Sequence, residues 1–240
     1  MTPLIYDELV PWYRLLDPPQ DHEEEATCYR DALAAAVPDA RTLLELGSGA
    51  GHNALFMKQR FQCTLTDISE GMLGLSRELN PESEHLLGDM RSLRLGRSFD
   101  VVFVQDAVCY MQSEAELKAA METAFAHVRP GGAVLFAPDT DRDSFVEHTA
   151  LYETDDGARS LRCMEWTWDP EPSDTLYSVE YALLLRDGQS MRAVHDRHSE
   201  GLFSRQTWLD SLSAVGFRSQ LALRSLDDGG PDHVFLGLRP

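Results

Sequence analysis

The run Leu43-Leu44-Glu45-Leu46-Gly47-Ser48-Gly49-Ala50-Gly51-His52-Asn53 constrains this chain more than any other part of it. An apolar stretch carrying one carboxylate breaks into glycines at 47, 49 and 51, and a helical pattern, Ala54-Leu55-Phe56-Met57, follows at once. That is a strand, a tight loop and a helix start in succession. Glycine lets such a loop take positive φ at no steric cost and lets a ligand approach the backbone. At the carboxyl end of a parallel strand, this is where doubly wound sheets hold nucleotides. The dinucleotide fingerprint is G-x-G-x-x-G, whereas this loop reads G-x-G-x-G with Glu45 two residues ahead of it.

Gln62-Cys63-Thr64-Leu65-Thr66 reads as a second strand from its β-branched content and ends at Asp67. An acidic residue about 20 positions beyond the glycine loop is where a ribose is gripped, because a carboxylate accepts from both hydroxyls. Its competing role is to cap the helix over 71–79, a role that Ser69 can take instead. Leu87-Gly88-Asp89-Met90-Arg91-Ser92-Leu93 comes next. Then Phe99-Asp100-Val101-Val102-Phe103-Val104 forms a strand that runs out into Gln105-Asp106-Ala107-Val108-Cys109-Tyr110. Val128-Arg129-Pro130-Gly131-Gly132 turns into a fifth strand.

From about Arg41 to Ala137 these segments, in this order, resemble the class I S-adenosylmethionine (SAM) methyltransferases. The E-x-G-x-G-x-G loop is similar to the family's first motif, G-D-M to its adenine-binding motif, F-D-x-V to its fourth strand, and R-P-G-G to its turn into strand five. The resemblance implies an α/β fold: a seven-stranded, mostly parallel, doubly wound sheet whose last strand is antiparallel. It implies SAM as cofactor. It assigns cofactor contacts to Glu45, Gly47, Ser48, Gly49, Gly51 and Asn53, to Asp67 and Ile68, to Asp89 and Met90, and to Gln105. In the family the aspartate of the adenine motif accepts from the exocyclic amine and the next residue packs on the ring. A polarizable, adaptable methionine suits that place.

Composition excludes several function classes. The 240 residues suit one α/β domain with insertions, and 43% hydrophobic content is ordinary for a globular chain. No run of about 18 apolar residues is present, so no membrane helix is expected. The start, Met1-Thr2-Pro3-Leu4-Ile5, lacks the basic and apolar regions of a signal peptide. The 4 cysteines are scattered, without C-x-x-C pairs or ligand spacing to histidine, so neither disulfides nor a metal is expected and a reducing cytoplasm fits. Net charge is −19, from 40 acidic against 21 basic residues, which repels nucleic acid and anionic membranes. The N-P-P-Y or D-P-P-Y loop of nucleic-acid amino methyltransferases does not follow strand four, where Gln105-Asp106-Ala107-Val108 stands.

Three parts are expected along the chain: an N-terminal helical lid over 1–40, a SAM-binding core over 41–137 and 202–240, and a β-rich insertion over 138–201. Residues 4–37 read as two helices broken at Asp17-Pro18-Pro19-Gln20. Such a lid often turns a tyrosine toward the methyl donor, and Tyr6 and Tyr13 are the candidates, with packing of a helix as their other role. In the insertion, 160–168, 176–185 and 189–197 read as three antiparallel strands that shape the acceptor pocket or a homodimer contact. Trp166 and Trp168 share one face of the first, which points to packing against the core or a partner. Ser204 caps a helix over 205–214 that Gly216 ends, and strands over 219–226 and 232–238 are joined by a hairpin at Asp227-Asp228-Gly229-Gly230-Pro231.

Methyl transfer from a sulfonium needs no metal; it needs positioning, and a base where the acceptor holds a proton. Asp106, Tyr110 and His198 are the base candidates at the sheet's carboxyl edge. His198 opens H-x-x-x-L-F before the last helix, a pattern similar to that of the sugar N,N-dimethyltransferases of antibiotic biosynthesis. The expected function is methyl transfer from SAM to a small molecule, with an amine favoured slightly over a hydroxyl. His198 is expected to take the proton and Tyr13 to orient the donor. The alternatives are an NAD-dependent oxidoreductase, which lacks a Y-x-x-x-K pair here, and a SAM-binding protein without catalysis.

Overall fold

The computed structural model describes residues 3–224 and 232–240. Five parallel strands come first: β1 (Thr42–Leu46), β2 (Gln62–Asp67), β3 (Glu84–Leu87), β4 (Phe99–Gln105) and β5 (Val128–Ala137). The chain then leaves this sheet to build β6 (His148–Asp155), β7 (Arg159–Trp168), β8 (Leu176–Asp187) and β9 (Ser190–Gly201) as a separate antiparallel sheet. It returns with β10 (Arg218–Arg224) and β11 (Asp232–Leu238), which complete the order β10-β11-β5-β4-β1-β2-β3. β11 runs antiparallel to both neighbours, the closure that the motifs imply. The hairpin expected at 227–231 lies outside the described residues.

Helices cover both faces: α1 (Tyr13–Leu16), α2 (Glu23–Ala36), α3 (His52–Met57), α4 (Glu70–Leu79), α5 (Glu114–His127) and α6 (Arg205–Val215). Val101 and Phe103 pack with Tyr29 of α2 and Met57 of α3, while Val102 and Val104 pack with Leu117 of α5 and Trp208 of α6. Burial on both faces is why these strands read as unbroken apolar runs. Trp208 stacks on Phe235 at 4.8 Å and fixes α6 against β11. Helix ends follow their sequence signals. Ser69 accepts from the Met72 N–H, Ser204 accepts from the Thr207 N–H, and Gly216 ends α6 at φ 114.

Two expectations need correction. The first N-terminal helix is instead two 3-10 turns, Leu4–Tyr6 and Val10–Trp12, and the single turn of α1. Pro11 removes a donor and restricts Val10, so one continuous helix cannot form. The apolar residues of this strap serve another purpose: Ile5, Leu9 and Leu15 pack on Leu161, Cys163, Leu183 and Leu185 of the second sheet. That sheet has four strands where three were expected. β6 is an edge strand with most of its residues exposed, so no period-2 apolar pattern marks it. Trp166 and Trp168 do share a face, but it is the outward one. Their rings lie 6.4 Å apart, Trp166 is 46% exposed, and its Nε1 donates to Glu147 at 3.0 Å.

Candidate active site

The order β4-β1-β2 places the switch in winding direction between β1 and β4, and the glycine loop opens there. Gly47, Gly49 and Gly51 all have positive φ. A β-carbon on Gly47 would collide with Ala107 Cβ and Met90 Cε, whereas one on Gly49 would meet only Met72 Cε at 3.6 Å. The loop is therefore closed on its protein side at Gly47 and open above Gly49. Thr66 O accepts from the Gly47 and Ser48 N–H groups at 2.8 Å, and Asp67 Oδ2 accepts from the Gly49 N–H at 2.8 Å.

A cavity of about 830 Å³ opens over this loop, within the range of about 300–1,000 Å³ that suits small ligands and cofactors. Glu45, Ser48, Asn53, Asp67, Met90 and Gln105 all line it, and so do Ile68 and Asp89 at its rim. Glu45 Oε2, Ser48 Oγ, His52 Nε2 and Asn53 Oδ1 are buried and have no hydrogen-bond partner among the described residues. Buried polar atoms are rarely left so, and a polar ligand would satisfy them. Burial, with Asp67 nearby, pushes the Glu45 carboxyl up to about 8. Burial also raises Asp67, against the N–H groups of Ser69 and Gly49 that it accepts. Asp89 differs: Arg91 forks onto both its oxygens and holds its carboxyl below the usual range. Asn53 Nδ2 donates to Gln105 Oε1 at 2.6 Å, locking α3 to the end of β4.

Asp106 is the one residue besides glycine with positive φ among the described residues, at 38°. Strain of this kind costs about 1–3 kcal/mol and gathers at functional sites. Burial and the neighbouring Asp139 raise its carboxyl well above the ordinary range, and its Oδ1 is buried without a partner. Tyr6, Tyr13 and Tyr110 stand beside it in the cavity wall. The Tyr6 and Tyr110 hydroxyls share a 3.1 Å hydrogen bond.

His198 is not in that wall. It is buried on β9, with Nδ1 2.7 Å from the Tyr110 hydroxyl and Nε2 3.1 Å from Asp196 Oδ2. His198, expected to face the methyl group, meets the cavity only through Tyr110, which lines it.

The sequence reading also missed a latch over the cavity. His22 bridges Asp17 at 2.7 Å and Glu25 at 2.8 Å, and His52 at the start of α3 meets Asp17 at 3.2 Å. One carboxylate oxygen and two ring nitrogens of Asp17, His22 and His52 lie within 4.8 Å of one another, as do ligand atoms of Cys109, Asp139 and Glu200. The first set is already joined by hydrogen bonds. The Glu200 carboxyl of the second is pushed up to about 8, by burial first and then by Asp139. Burial opposes charge on His22, but its two carboxylates prevail and push it up to about 10 from 6.5. Burial likewise opposes charge on Asp17, and the two histidines hold it below 3.8. Protonated His22 thus favours the closed latch fully below about pH 6.5, and that share is lost as pH climbs through about 10. The Asp17 share is present above 3.8 and is lost as pH falls through its lowered value. Cofactor release, followed by stopped flow, is therefore expected to quicken from pH 7 to 10. His22→Ala should already be fast at pH 7, by about 5- to 100-fold for about 1–3 kcal/mol of unpaired carboxylates, with a flat profile above it.

Residues 43–132 match a family model described as a methyltransferase domain. Over 227 residues the chain is 29% identical to a dTDP-3-amino-3,4,6-trideoxy-alpha-D-glucopyranose N,N-dimethyltransferase of Streptomyces venezuelae, spanning 91% of this chain and 92% of that one. It is a class I SAM-dependent methyltransferase. The methyltransferase is also 26% identical over 224 residues to a dTDP-3-amino-3,6-dideoxy-alpha-D-glucopyranose N,N-dimethyltransferase of Streptomyces fradiae, covering 91% and 85% of the two chains. Its fold is shared with a SAM-bound amino pentose methyltransferase of Micromonospora echinaspora, at a TM-score of 0.81, 24% identity and coverage of 98% and 97%. A sugar N-methyltransferase of Streptoalloteichus superposes at 0.84, with 23% identity and coverage of 95% and 91%. The methyltransferase has a cavity that fits SAM: a loop open above Gly49 and unpartnered polar atoms around it. Nothing supports the oxidoreductase alternative.

Proposed function

We propose that the methyltransferase moves the SAM methyl group to an amine on a small, amino-sugar-like acceptor. The observation that carries this is the similarity, along nearly the whole chain, to sugar N,N-dimethyltransferases. The strained carboxyl of Asp106 in the cavity wall, whose hold on a proton is raised by burial and by Asp139, suits an amine that arrives protonated. SAM supplies a methyl already activated on a sulfonium. The protein's share is to hold the amine in line, keep water out and take a proton.

In this reading the backbone at 47–51, with Glu45, Ser48 and Asn53, holds the polar end of the cofactor. Asp67 takes the ribose hydroxyls with Ile68 beside them, Asp89 and Met90 take the adenine, and Gln105 fixes Asn53. Residues 1–40 act as the lid, 41–137 and 202–240 as the core, and 138–201 as the acceptor wall. Tyr13 orients the donor, Asp106 takes the ammonium proton, and His198 is a positioning residue that aims Tyr110. The charge of −19 turns nucleic acid away. The four free cysteines fit a cytoplasmic setting, and no helix among the described residues is long and apolar enough to cross a membrane. A second copy is proposed to cover the outward face of the four-stranded sheet, where Leu151, Met164, Trp166 and Leu184 are exposed. A single-chain mass in light scattering at micromolar protein would contradict that contact.

Transfer of labelled methyl from SAM to a panel of amino sugars tests the function, and N-methyl product is expected. O-methyl product, or SAM binding without transfer to any amine, would contradict it. For the positioning role, Tyr110→Phe and His198→Ala should each lower kcat by about 10- to 100-fold with the KM for SAM unchanged. The double variant should be no slower than the worse single one, because both remove the same hydrogen bond.

A further inference from the structure

A second cavity, of about 460 Å³, adjoins the cofactor cavity, and Asp17, His22, Gln105 and Asp106 line both. Six carboxylates stand in its wall: Asp17, Asp21, Glu25, Asp106, Asp139 and Glu153. Among the described residues His22 is its one basic side chain, and it is already bonded to Asp17 and Glu25. In the cofactor cavity the one lysine or arginine in the wall among the described residues is Arg91, spoken for by Asp89 and Glu116. The similar sugar dimethyltransferases carry names that attach a dTDP group to the sugar. A diphosphate needs arginine, lysine or a free N–H cradle to replace its water. Among the described residues, neither cavity offers a guanidinium or ammonium free for one.

We infer that the acceptor is a phosphate-free, cationic amine that enters through this acidic chamber and brings an ammonium to Asp106. This rests on the amine-methylating reading above. Asp106 Oδ1 is buried without a partner, and an ammonium N–H supplies one. Burial first, and then Asp139 and Glu25, raise the Asp106 carboxyl, and the same ammonium relieves the repulsion among these carboxylates. If the acceptor is an amino sugar, glycosyl transfer must already have replaced its nucleotide diphosphate with another group.

Calorimetric titration of the protein loaded with S-adenosylhomocysteine tests this, with two probes: neamine, a phosphate-free amino-sugar with several amines, and dTDP. Neamine is expected to bind, to weaken as salt is raised, and to lose at least about tenfold in affinity in Asp139→Asn/Glu153→Gln. The surface control Glu122→Gln/Asp187→Asn, which changes the net charge equally, is expected to leave it intact. No dTDP binding is expected. Tighter binding of dTDP than of neamine, or equal loss in the control and chamber variants, would overturn the inference. The two failures are distinguishable. Labelled methyl appearing on a dTDP-linked amine and not on neamine removes the inference and leaves N-methylation standing. Label on hydroxyls alone removes N-methylation and, with it, the inference that rests on it.

Discussion

Asp106→Asn is expected to cut turnover by about 10²- to 10⁴-fold, the range for losing a general base, while SAM affinity stays close to its original value. Asparagine is the right probe. It tolerates positive φ better than other side chains do, so the φ of 38° is kept, and it matches aspartate in size. It cannot take a proton from an ammonium. The wild-type rate should rise with pH as Asp106, whose carboxyl burial and Asp139 hold high, gives up its own proton. The variant should instead follow the free-amine fraction of the acceptor and partly recover in alkali. A loss below tenfold, with an unchanged pH profile, would mean that positioning alone carries the reaction or that Tyr110 takes the proton.

Gly47→Ala is the second large effect. Alanine at φ 75 costs about 1–2 kcal/mol, and its β-carbon must displace both Ala107 and Met90, an overpacking worth about 1–3 kcal/mol more. Both neighbours line the cofactor cavity. SAM affinity is therefore expected to fall by about two orders of magnitude in a protein that still folds, because β1 and α3 keep their core contacts. Gly49→Ala should cost less in folding, since its β-carbon meets only Met72, yet it should still weaken SAM because it fills the open side of the loop. Calorimetry separates the two. Equal SAM affinity in both variants and the wild type would contradict the loop's role.

The parts legible in the sequence were those whose cause is local. The runs at 43–46 and 99–105 announce strands buried on both faces, and Gly47, Gly49 and Gly51 announce a loop of positive φ. Ser69, Ser204 and Gly216 act at the helix ends where their chemistry puts them. The illegible parts depend on distant partners. Asp17 and His52 are 35 residues apart and meet only when the strap crosses the loop. Asp139 and Glu200 approach because the chain leaves the core sheet and comes back. His198 carried a recognisable pattern, but its place behind Tyr110 comes from the register of β9, not from its neighbours in sequence. β6 was invisible because an exposed edge strand needs no apolar alternation.

The most direct test of the central claim is calorimetric titration of SAM and of NAD into the wild type and Asp67→Ala. SAM should bind the wild type at micromolar strength while NAD does not bind. Asp67→Ala should weaken SAM by about 1–3 kcal/mol, the cost of leaving buried hydroxyls unpaired. Binding of NAD in place of SAM, or the same SAM affinity in both proteins, would contradict the account.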